Sequence, residues 1–510
     1  MRRHRGTRMG MTGGGRRRLS SQDGFILPMV MMVLLAMLML SATLLTEVLV
    51  NQQHVARERS FSQSLQVAEA GLNQYLWMIE SGSSSESNGF IIPGNTESDL
   101  HKKTFTFNDP YTGVVGTYVM DVTPPGPNDA RVSVTVTGKS SSPVVAPRTL
   151  TAHLGRPAFS EYVLLVDEEV YIGGPADRVW FGKTHSNTGI RIETANITDI
   201  ISCAQASYDS GSGIKDGVWS QDLPSDSTST ALWQFPVPPI SFNTVTSDFA
   251  RLSGLATGNA NLAYSTSSVH DEHQGWYIKL LPNNKYQIAQ VTGEVEQKDY
   301  DDHGSPFRKR GGYLTMGALS AIRDYPFNGV IYVNDNVWVE GANVNGRITI
   351  ASSGQLNPTG KQASTNIHIV GNLTYAAKDG TCAIGLIAQQ NVEIPMYAPY
   401  GDSSTMSAMD MEVDAALISQ TGHEYVNRDA SGGSSGWGPR RDMLTFYGSV
   451  CTFTTPSRET YSGSDYCGFN NGTNIYDFYL LHNPPPYFPT VGSYQILDWQ
   501  ELPSTQALSF

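Results

Sequence analysis

The hydrophobic pattern begins with a long uncharged run. Residues 25–46, FILPMVMMVLLAMLMLSATLLT, contain no charged side chain. At a rise of 1.5 Å per residue, a helix of this length extends about 33 Å, enough to cross a hydrocarbon core of about 30 Å. The run is longer than the apolar core of a secretory signal peptide, and no A-x-A cleavage site follows it. It predicts a membrane-spanning helix that is not removed as a signal peptide.

The helical pattern continues beyond this run. Apolar residues recur at steps of three and four, which places them on one face of a helix. They are Phe61, Leu65, Ala68, Leu72, Leu76 and Ile79. We predict one helix over residues 25–80, about 84 Å long, with a membrane-type first half and an amphipathic second half. A Ser-rich stretch at 81–87 ends it. A simple N-terminal membrane anchor is the plainer alternative.

The pattern then changes to the alternation typical of strands. Residues 101–156 contain four segments of alternating apolar and polar residues, separated by turn-forming residues at 124–128 and 140–142. These segments predict a small β-meander on which the apolar face of the helix packs. We place the helix and the meander together in a module spanning residues 25–157.

From about residue 160 the chain consists of short β-type segments separated by Gly, Asn and Asp. Strands of four to six residues bury too little surface alone, but they form a continuous core when stacked as coils. The pattern predicts an irregular β-solenoid over 158–450, with a β-sandwich as the alternative, and a capping segment at 451–510. The predicted fold class is therefore α+β.

Charge is distributed unevenly along the chain. The whole sequence has 34 Lys and Arg against 47 Asp and Glu, a net charge of −13. Residues 1–24 have a net charge of +6 and the remainder −19. A basic segment before an apolar helix is typical of a leader kept on the cytoplasmic side while the following residues are exported. The acidic remainder argues against a general nucleic-acid-binding role.

Gly24 followed by Phe25 and the uncharged helix, after the basic leader at 1–24, resembles the class III prepilin signal. The stretch Val67–Asn73, VAEAGLN, resembles the helix end of PilX-type minor pilins. The resemblance implies cleavage after Gly24 by a prepilin peptidase, methylation of Phe25 and association with other pilins. It also implies anchoring in the cytoplasmic membrane through residues 25–46 before assembly, and exposure on a pilus or the cell surface afterwards.

One position departs from the pilin pattern. Most pilins have Glu as the fifth mature residue, where it neutralises the amino terminus of a neighbouring subunit; here the fifth residue is Met29. A buried amine without a counter-charge is costly, so this chain would pack poorly beneath another subunit but could cap a filament. The alternative is that the family tolerates Met at this position.

The rest of the chain resembles pilin-linked surface domains of unknown activity. The segments that carry the resemblance are Gly182–Asn187, Gly329–Gly341, Ala383–Pro395 and His482–Trp499. It implies an elongated β domain that meets an unknown surface ligand. Resemblance to a competence-associated minor pilin implies DNA binding at a filament tip, which the acidic charge opposes. Basic candidates are confined to Arg308, Lys309, Arg310, Arg440 and Arg441.

Three motifs suggest chemistry but fit it poorly. Residues 299–304, DYDDHG, match the start of a calcium loop, but its twelfth position is Arg310 instead of Glu. His270 and His273 have a spacing suited to a metal, yet no third ligand follows nearby. Residues 432–436 satisfy G-x-S-x-G but lie in a Ser/Gly loop with no helix after them. We predict a protein without catalytic residues, metal or cofactor.

Four cysteines remain, and an even number outside the cell favours disulfides. Cys451 and Cys467 enclose a short span rich in Ser, Thr and Gly and form the preferred pair. Cys203 with Cys382 follows by elimination.

These features predict a minor pilin-like structural subunit of a type IV pilus or a related filament, with the filament tip as one possible position. Two alternatives stay open: a membrane-anchored β-helical protein acting on carbohydrate, which would need paired carboxylates in a groove, and a DNA-binding tip pilin for uptake.

Overall fold

The computed structural model describes most of the chain. The described residues are 26–85, 88–96, 98–111, 113–125, 131–142, 146–173, 179–193, 196–221, 228–256, 260–263, 272–300, 306–309, 311–356, 363–399, 409–427, 440–462 and 465–509. Helix α1 runs without interruption over Ile26–Glu80, 55 residues. The Ser81 N–H donates to the Trp77 carbonyl at 2.9 Å, closing the last turn. The predicted long N-terminal helix is confirmed over these residues.

A small antiparallel sheet follows the helix, as predicted. Its strands are β1 (Lys102–Asp109), β2 (Gly113–Thr123), β3 (Val132–Ser140), β4 (Arg148–Gly155) and β36 (Gln495–Leu502). They lie in the order β1-β2-β3-β4-β36. The first four strands are consecutive in the chain and form the meander expected at 101–156. The fifth comes from the C-terminal end of the chain and pairs antiparallel with β4.

The second half of α1 packs on this sheet. The buried positions begin at Ser64 and continue through Val67, Ala68 and Leu72 to Ile79. They form one core with the inward-facing residues of β2, β3 and β4. The backbones approach closely at Gly138, because a Cβ there would lie 2.5 Å from the Ala68 nitrogen and 2.5 Å from the Ser64 oxygen. The helix and the sheet therefore form one packed unit.

The rest of the described chain is mostly β, and its longest ladder is parallel throughout. In ladder order its strands are β16 (Asn261–Ala263), β23 (Val330–Asn334), β25 (Arg347–Ser352), β29 (Ala383–Ala388), β31 (Met411–Ser419), β33 (Arg440–Thr452), β5 (Tyr162–Val166), β8 (Lys183–Ser186), β11 (Ile201–Cys203) and β15 (Trp233–Gln234). We call it the long ladder. Its central strands are buried on both faces, which explains continuous apolar segments such as AIGLIA at 383–388.

Shorter parallel ladders run alongside it. One consists of β17 (Gly275–Leu281), β24 (Asn336–Val344), β28 (Ile367–Tyr375), β30 (Val392–Ile394) and β32 (Glu424–Val426). Others consist of β6 (Val170–Ile172), β9 (Ile190–Ile192) and β14 (Val218–Trp219), and of β7 (Val179–Trp180) and β10 (Asn196–Ile197). Parallel ladders disfavour the antiparallel sandwich. They suit stacked coils, and the β-solenoid stays an interpretation of them.

The large domain also contains antiparallel strand pairs beside the parallel ladders. They are β12 (Ser207–Asp209) with β13 (Ile214–Asp216), β18 (Lys285–Glu294) with β17, β21 (Leu314–Met316) and β22 (Arg323–Asp324), β19 (Gln297–Tyr300) with β20 (Pro306–Lys309), β26 (Gln355–Leu356) with β27 (Ala363–Ser364), and β34 (Glu459–Ser462) with β35 (Asp465–Tyr476). Short 3-10 helices cover Phe159–Glu161, Thr228–Leu232, Phe478–Leu481 and Ser504–Gln506.

The large domain begins in the middle of its own longest ladder. Its first strand, β5, pairs with Val450–Thr452 at the end of β33, whereas the earlier part of β33 pairs with β35. Helix α2 (Thr244–Leu255), which the sequence analysis missed, places Val245, Phe249 and Leu252 in a core on one face of the long ladder. The ladder is therefore built from two chain segments that meet at β5 and β33.

The large domain is an insertion between two neighbouring strands of the small sheet. The chain leaves the sheet after β4 and returns to it at β36. The two crossings run side by side: the Phe159 N–H donates to the Pro489 carbonyl at 3.0 Å, and the Val491 N–H to the Pro157 carbonyl at 2.7 Å. The predicted boundary at 157 falls at this crossing, and the one between 450 and 451 falls inside β33.

We expect Gly138→Ala to weaken the docking of α1, because the new methyl group would overlap the helix backbone. Overpacking of this kind costs about 1–3 kcal/mol. Chemical denaturation of the full chain in detergent, compared with wild type, measures the loss. Gly293→Ala is the matched control, since a Cβ there meets no atom within 4 Å. Equal stability of both variants would contradict the close approach.

Candidate functional site: the exposed helix and the polar clusters of the β domain

The first half of α1 has an apolar surface that nothing in the described structure covers. Every residue from 26 to 50 is exposed, including Leu27 and Leu38. The helix is long and apolar enough to cross a membrane, with a mean hydropathy of 2.3 over its most apolar window. An apolar surface of this size is stable in a bilayer or against other apolar helices, but not in water.

Polar contacts fix the second half of the helix to the sheet. The Ser140 N–H donates to Ser64 Oγ at 3.1 Å within the buried interface. The Arg148 guanidinium lies 4.2 Å from the centre of the Phe61 ring and forms a two-point ion pair with Glu501 on β36. The helix is thereby tied to the strand that closes the insertion.

The predicted processing site lies outside the described residues. Gly24 and Phe25 immediately precede the first described residue of α1. Met29 lies in the first turns of the helix with two thirds of its surface exposed. The first acidic residue of the helix is Glu47, far beyond Met29. The exposed start of α1 therefore presents no carboxylate.

The predicted disulfide between Cys451 and Cys467 does not form. In the pairing of β33 with β35, Arg440 lies opposite Gly468, directly after Cys467, while Cys451 lies eleven positions further along β33. At about 3.3 Å per residue this separates the two cysteines by about 36 Å, far more than the roughly 7 Å that a disulfide can bridge. The short sequence spacing predicted this disulfide wrongly, because Cys451 lies near the end of β33 whereas Cys467 lies near the start of the parallel strand β35.

The other predicted disulfide is also absent. Cys203, Cys382 and Cys451 are free and buried. They belong to three different apolar cores. Burial raises the pKa of Cys451 to about 12, so its thiol stays protonated. These three cysteines act as small apolar core residues.

Arg441, one of the residues of the predicted basic patch, is not at the surface. Arg441 is buried; its Nη1 donates to the carbonyls of Pro395 at 3.2 Å and Ala398 at 2.6 Å, and its guanidinium lies 4.3 Å from the centre of the Phe469 ring. A guanidinium used in this way cannot contact a phosphate backbone at the surface. The side chains of Arg308, Lys309 and Arg440 and the whole of Arg310 lie outside the described part.

The remaining candidate motifs give no site within the described ranges. Residues 301–305 of the calcium-like loop, His270, and the G-x-S-x-G segment at 432–436 all lie outside them. His273 is described, and its Nδ1 lies at hydrogen-bonding distance, 3.0 Å, from Glu294 Oε2. Among the described residues, no group of three or more His, Cys, Asp or Glu side chains has the geometry to hold a metal ion.

A buried ion pair that the sequence analysis missed lies in the ladder from β24 to β32. Trp338, His368, Glu393 and Tyr425 occupy adjacent ladder positions on neighbouring strands. His368 Nδ1 lies 3.2 Å from Glu393 Oε2, and the imidazole stacks on Trp338 with ring centres 4.7 Å apart. Glu393 also accepts hydrogen bonds from the Tyr425 hydroxyl and from the Asn427 amide.

Two opposing effects determine how this pair titrates. Burial lowers the pKa of His368, but the charge of Glu393, the hydrogen bond to it and the charge of Glu294 together outweigh burial and leave that pKa raised. Burial raises the pKa of Glu393, but the charge of His368 and the hydrogen bonds to the carboxylate leave it lowered. Both groups are therefore charged together over the pH range between their ordinary values of 4.5 and 6.5.

A cavity lies where the long ladder divides between β35 and β5. It has a volume of about 720 Å³, and its walls include Tyr171, Trp180, Phe446 and Arg458. The Arg458 Nε donates to both carboxylate oxygens of Glu424, at 3.0 and 2.8 Å. The described walls contain aromatic rings but no carboxylate. This cavity therefore lacks the paired acids that the carbohydrate-enzyme interpretation requires.

Comparison with known proteins gives little guidance. No family model matches the chain, and no curated protein matches it. The crystal structure of the competence-associated pilin ComZ from Thermus thermophilus is similar over 87% of this chain and 97% of that chain, with 13% sequence identity and a TM-score of 0.27. At that TM-score the likeness carries no argument, so the function has to be inferred from the geometry of the chain itself.

We expect the double variant Leu35→Arg/Leu38→Arg to lose membrane association. Each Arg near the centre of a spanning helix costs about 2.5–3.5 kcal/mol, and together they cost about 5–7 kcal/mol. Val55→Arg is the control, because Val55 is exposed on the same helix but lies beyond the uncharged run. Flotation of the full chain with liposomes measures the effect. Unchanged flotation of the double variant would contradict membrane insertion.

We expect Glu393→Gln to lower the free energy of unfolding by about 3–5 kcal/mol near pH 6, because it leaves a buried imidazolium without its partner. The loss should shrink above pH 6.5 as His368 deprotonates through its raised pKa, and below pH 4.5 as Glu393 protonates through its lowered pKa. Denaturation across this pH range measures it.

Glu412→Gln is the matched control for this measurement. It removes a carboxylate that pairs with Lys378 at 2.7 Å on the protein surface, a contact worth about 0–1 kcal/mol. A difference between wild type and Glu393→Gln that stays constant from pH 4 to 8 would contradict the charged pair.

Proposed function

We propose that this chain is a structural, pilin-like subunit of a type IV pilus or related filament that displays its large β domain outside the cell. The observation that carries the proposal is the division of α1 into two halves. Residues 26–46 carry no charge and every residue from 26 to 50 is exposed, whereas the buried positions from Ser64 to Ile79 pack on a small antiparallel sheet. A helix of this kind can be held in a membrane first and then packed against other such helices.

The charge distribution supports the same order of events. The basic leader at 1–24 favours the cytoplasmic side, and the acidic remainder lies across the membrane. Cleavage after Gly24 would free the amino group of Phe25 at the start of α1 and leave the helix as the contact surface for neighbouring subunits. The proposed partners are the other pilins, a prepilin peptidase before assembly, and an unidentified surface ligand of the β domain.

Met29 favours the filament tip over the shaft. In a shaft, the amine of a neighbouring subunit would lie buried beside Met29 with no carboxylate to neutralise it, because α1 has no acidic residue before Glu47. At the tip no such neighbour needs a counter-charge. DNA uptake is the weaker alternative, since Arg441 is buried and the mature chain is acidic.

Mass spectrometry of the mature protein tests the processing step. We expect an amino terminus at Phe25 carrying one N-methyl group, because the leader and helix match the prepilin pattern. In cells without the prepilin peptidase, the same protein should retain residues 1–24. Identical amino termini with and without the peptidase would contradict the proposal.

Gold labelling of the β domain on native filaments tests the position. We expect gold at one end of each filament, and we expect Met29→Glu, which supplies the missing carboxylate, to add label along the shaft. Met31→Glu is the control, since it places the same charge two residues away on another side of the helix. Regular label along wild-type filaments would rule out the tip position.

A further inference from the structure

Three strands at the start of the large domain bring a serine and a histidine together. In the long ladder, His185 on β8 lies opposite Leu165 on β5 and opposite Ser202 on β11. His185 and Ser202 are both buried, with 1% and 8% of their surfaces exposed. They line a cavity of about 270 Å³ whose other walls include Lys183, Val237 and Ile240. Its volume is close to the lower end, about 300 Å³, of the range found for small-molecule pockets.

The hydrogen bonds fix the roles of the two imidazole nitrogens. His185 Nε2 lies 3.0 Å from Asn187 Oδ1, and His185 Nδ1 lies 2.9 Å from Ser202 Oγ. Because the amide oxygen can only accept, Nε2 carries the proton and Nδ1 has a free lone pair. The Ser202 hydroxyl then donates to Nδ1 over the shorter of its two contacts, the other being the Thr184 carbonyl at 3.3 Å.

The asparagine is itself held in one orientation. Its Oδ1 accepts the Ile240 N–H at 2.8 Å, and its Nδ2 donates to the Ile240 carbonyl at 2.7 Å. Nδ2 also donates to Asp167 Oδ1 at 2.7 Å. A flipped amide would put like groups together at all these contacts. Asn187 is therefore fixed with its oxygen toward the imidazole.

We propose that Ser202 is a nucleophile for acyl transfer from small carboxylic esters, with His185 as its general base and Asn187 as the residue that positions the imidazole. The nucleophile contacts the base, and the base contacts a fixed third group, as activated nucleophiles require. This inference does not depend on the filament role.

The reaction balances without any further reagent. Ser202 Oγ attacks the ester carbonyl carbon while its proton moves to His185 Nδ1. The tetrahedral intermediate collapses when the C–O bond to the alcohol breaks and the alkoxide takes that proton. Water then gives a proton to His185 Nδ1 and attacks the acyl-serine, which releases the carboxylic acid and returns the proton to Ser202. Lys183 lines the same cavity, and its ammonium pairs with Glu161.

The base is neutral at physiological pH. Burial lowers the pKa of His185, and the hydrogen bond to Asn187 offsets this only in part. A neutral imidazole can accept the serine proton at pH 7 and below, down to its own pKa. The reactivity of Ser202 is therefore expected to be lost only in acid.

Labelling with a fluorophosphonate tests the site in the full chain in detergent micelles. The probe phosphonylates an activated serine, and the serine oxygen displaces fluoride. We expect one modified peptide, containing Ser202, and no such modification in Ser202→Ala. Ser207→Ala, which changes an exposed serine on the neighbouring hairpin, should label like wild type.

Two further measurements separate a catalytic role from a structural one. Asn187→Ala should slow labelling at least about tenfold, since the imidazole loses its orientation. Wild-type labelling should be constant near neutral pH and fall at acid pH below 6.5, the ordinary histidine value. Circular dichroism and the melting temperature confirm that each variant is folded. An unlabelled Ser202 in folded wild type, or a labelling rate that His185→Gln leaves unchanged, would overturn the proposal.

Discussion

The packing of the second half of α1 on the small sheet is the contact on which the rest of the architecture depends. It requires the helix backbone to approach β3 at Gly138, where no side chain fits, and it buries the helix from Ser64 to Ile79. The first half of the same helix packs against none of the described residues and keeps its apolar surface exposed. Helix α1 is therefore fixed to the small sheet by its second half, while its apolar first half is stable only in a bilayer or against other apolar helices.

The insertion of the large domain follows from the same sheet. Because β4 pairs with both β3 and β36, the strand that leaves the sheet lies beside the strand that returns to it. The ion pair between Arg148 and Glu501 and the contact of 2.6 Å between His153 and Asp498 join these two strands. A force applied to the large domain would reach the small sheet through two adjacent chain crossings and be shared between them.

Inside the large domain, parallel stacking creates side-chain arrangements that are not visible as motifs. The buried pair of His368 and Glu393 and the contact of His185 with Ser202 both arise because residues at the same register of successive strands become neighbours. Their partners lie 17 to 25 residues apart in the sequence, a distance at which no short motif exists. The G-x-S-x-G motif at 432–436, which the sequence does contain, lies outside the described residues.

The sequence by itself determined the long helix, its division into two halves, the antiparallel meander and the mostly-β character of the rest. Each of these features follows from the spacing of hydrophobic residues within a short stretch of the chain. Only the tertiary structure decided that β36 joins the small sheet, that α2 covers the long ladder, that Cys451 and Cys467 are far apart, and that Arg441 is buried. These features depend on contacts between residues distant in the chain and on strand register. A single sequence specifies which faces are apolar, but it does not specify which apolar faces meet.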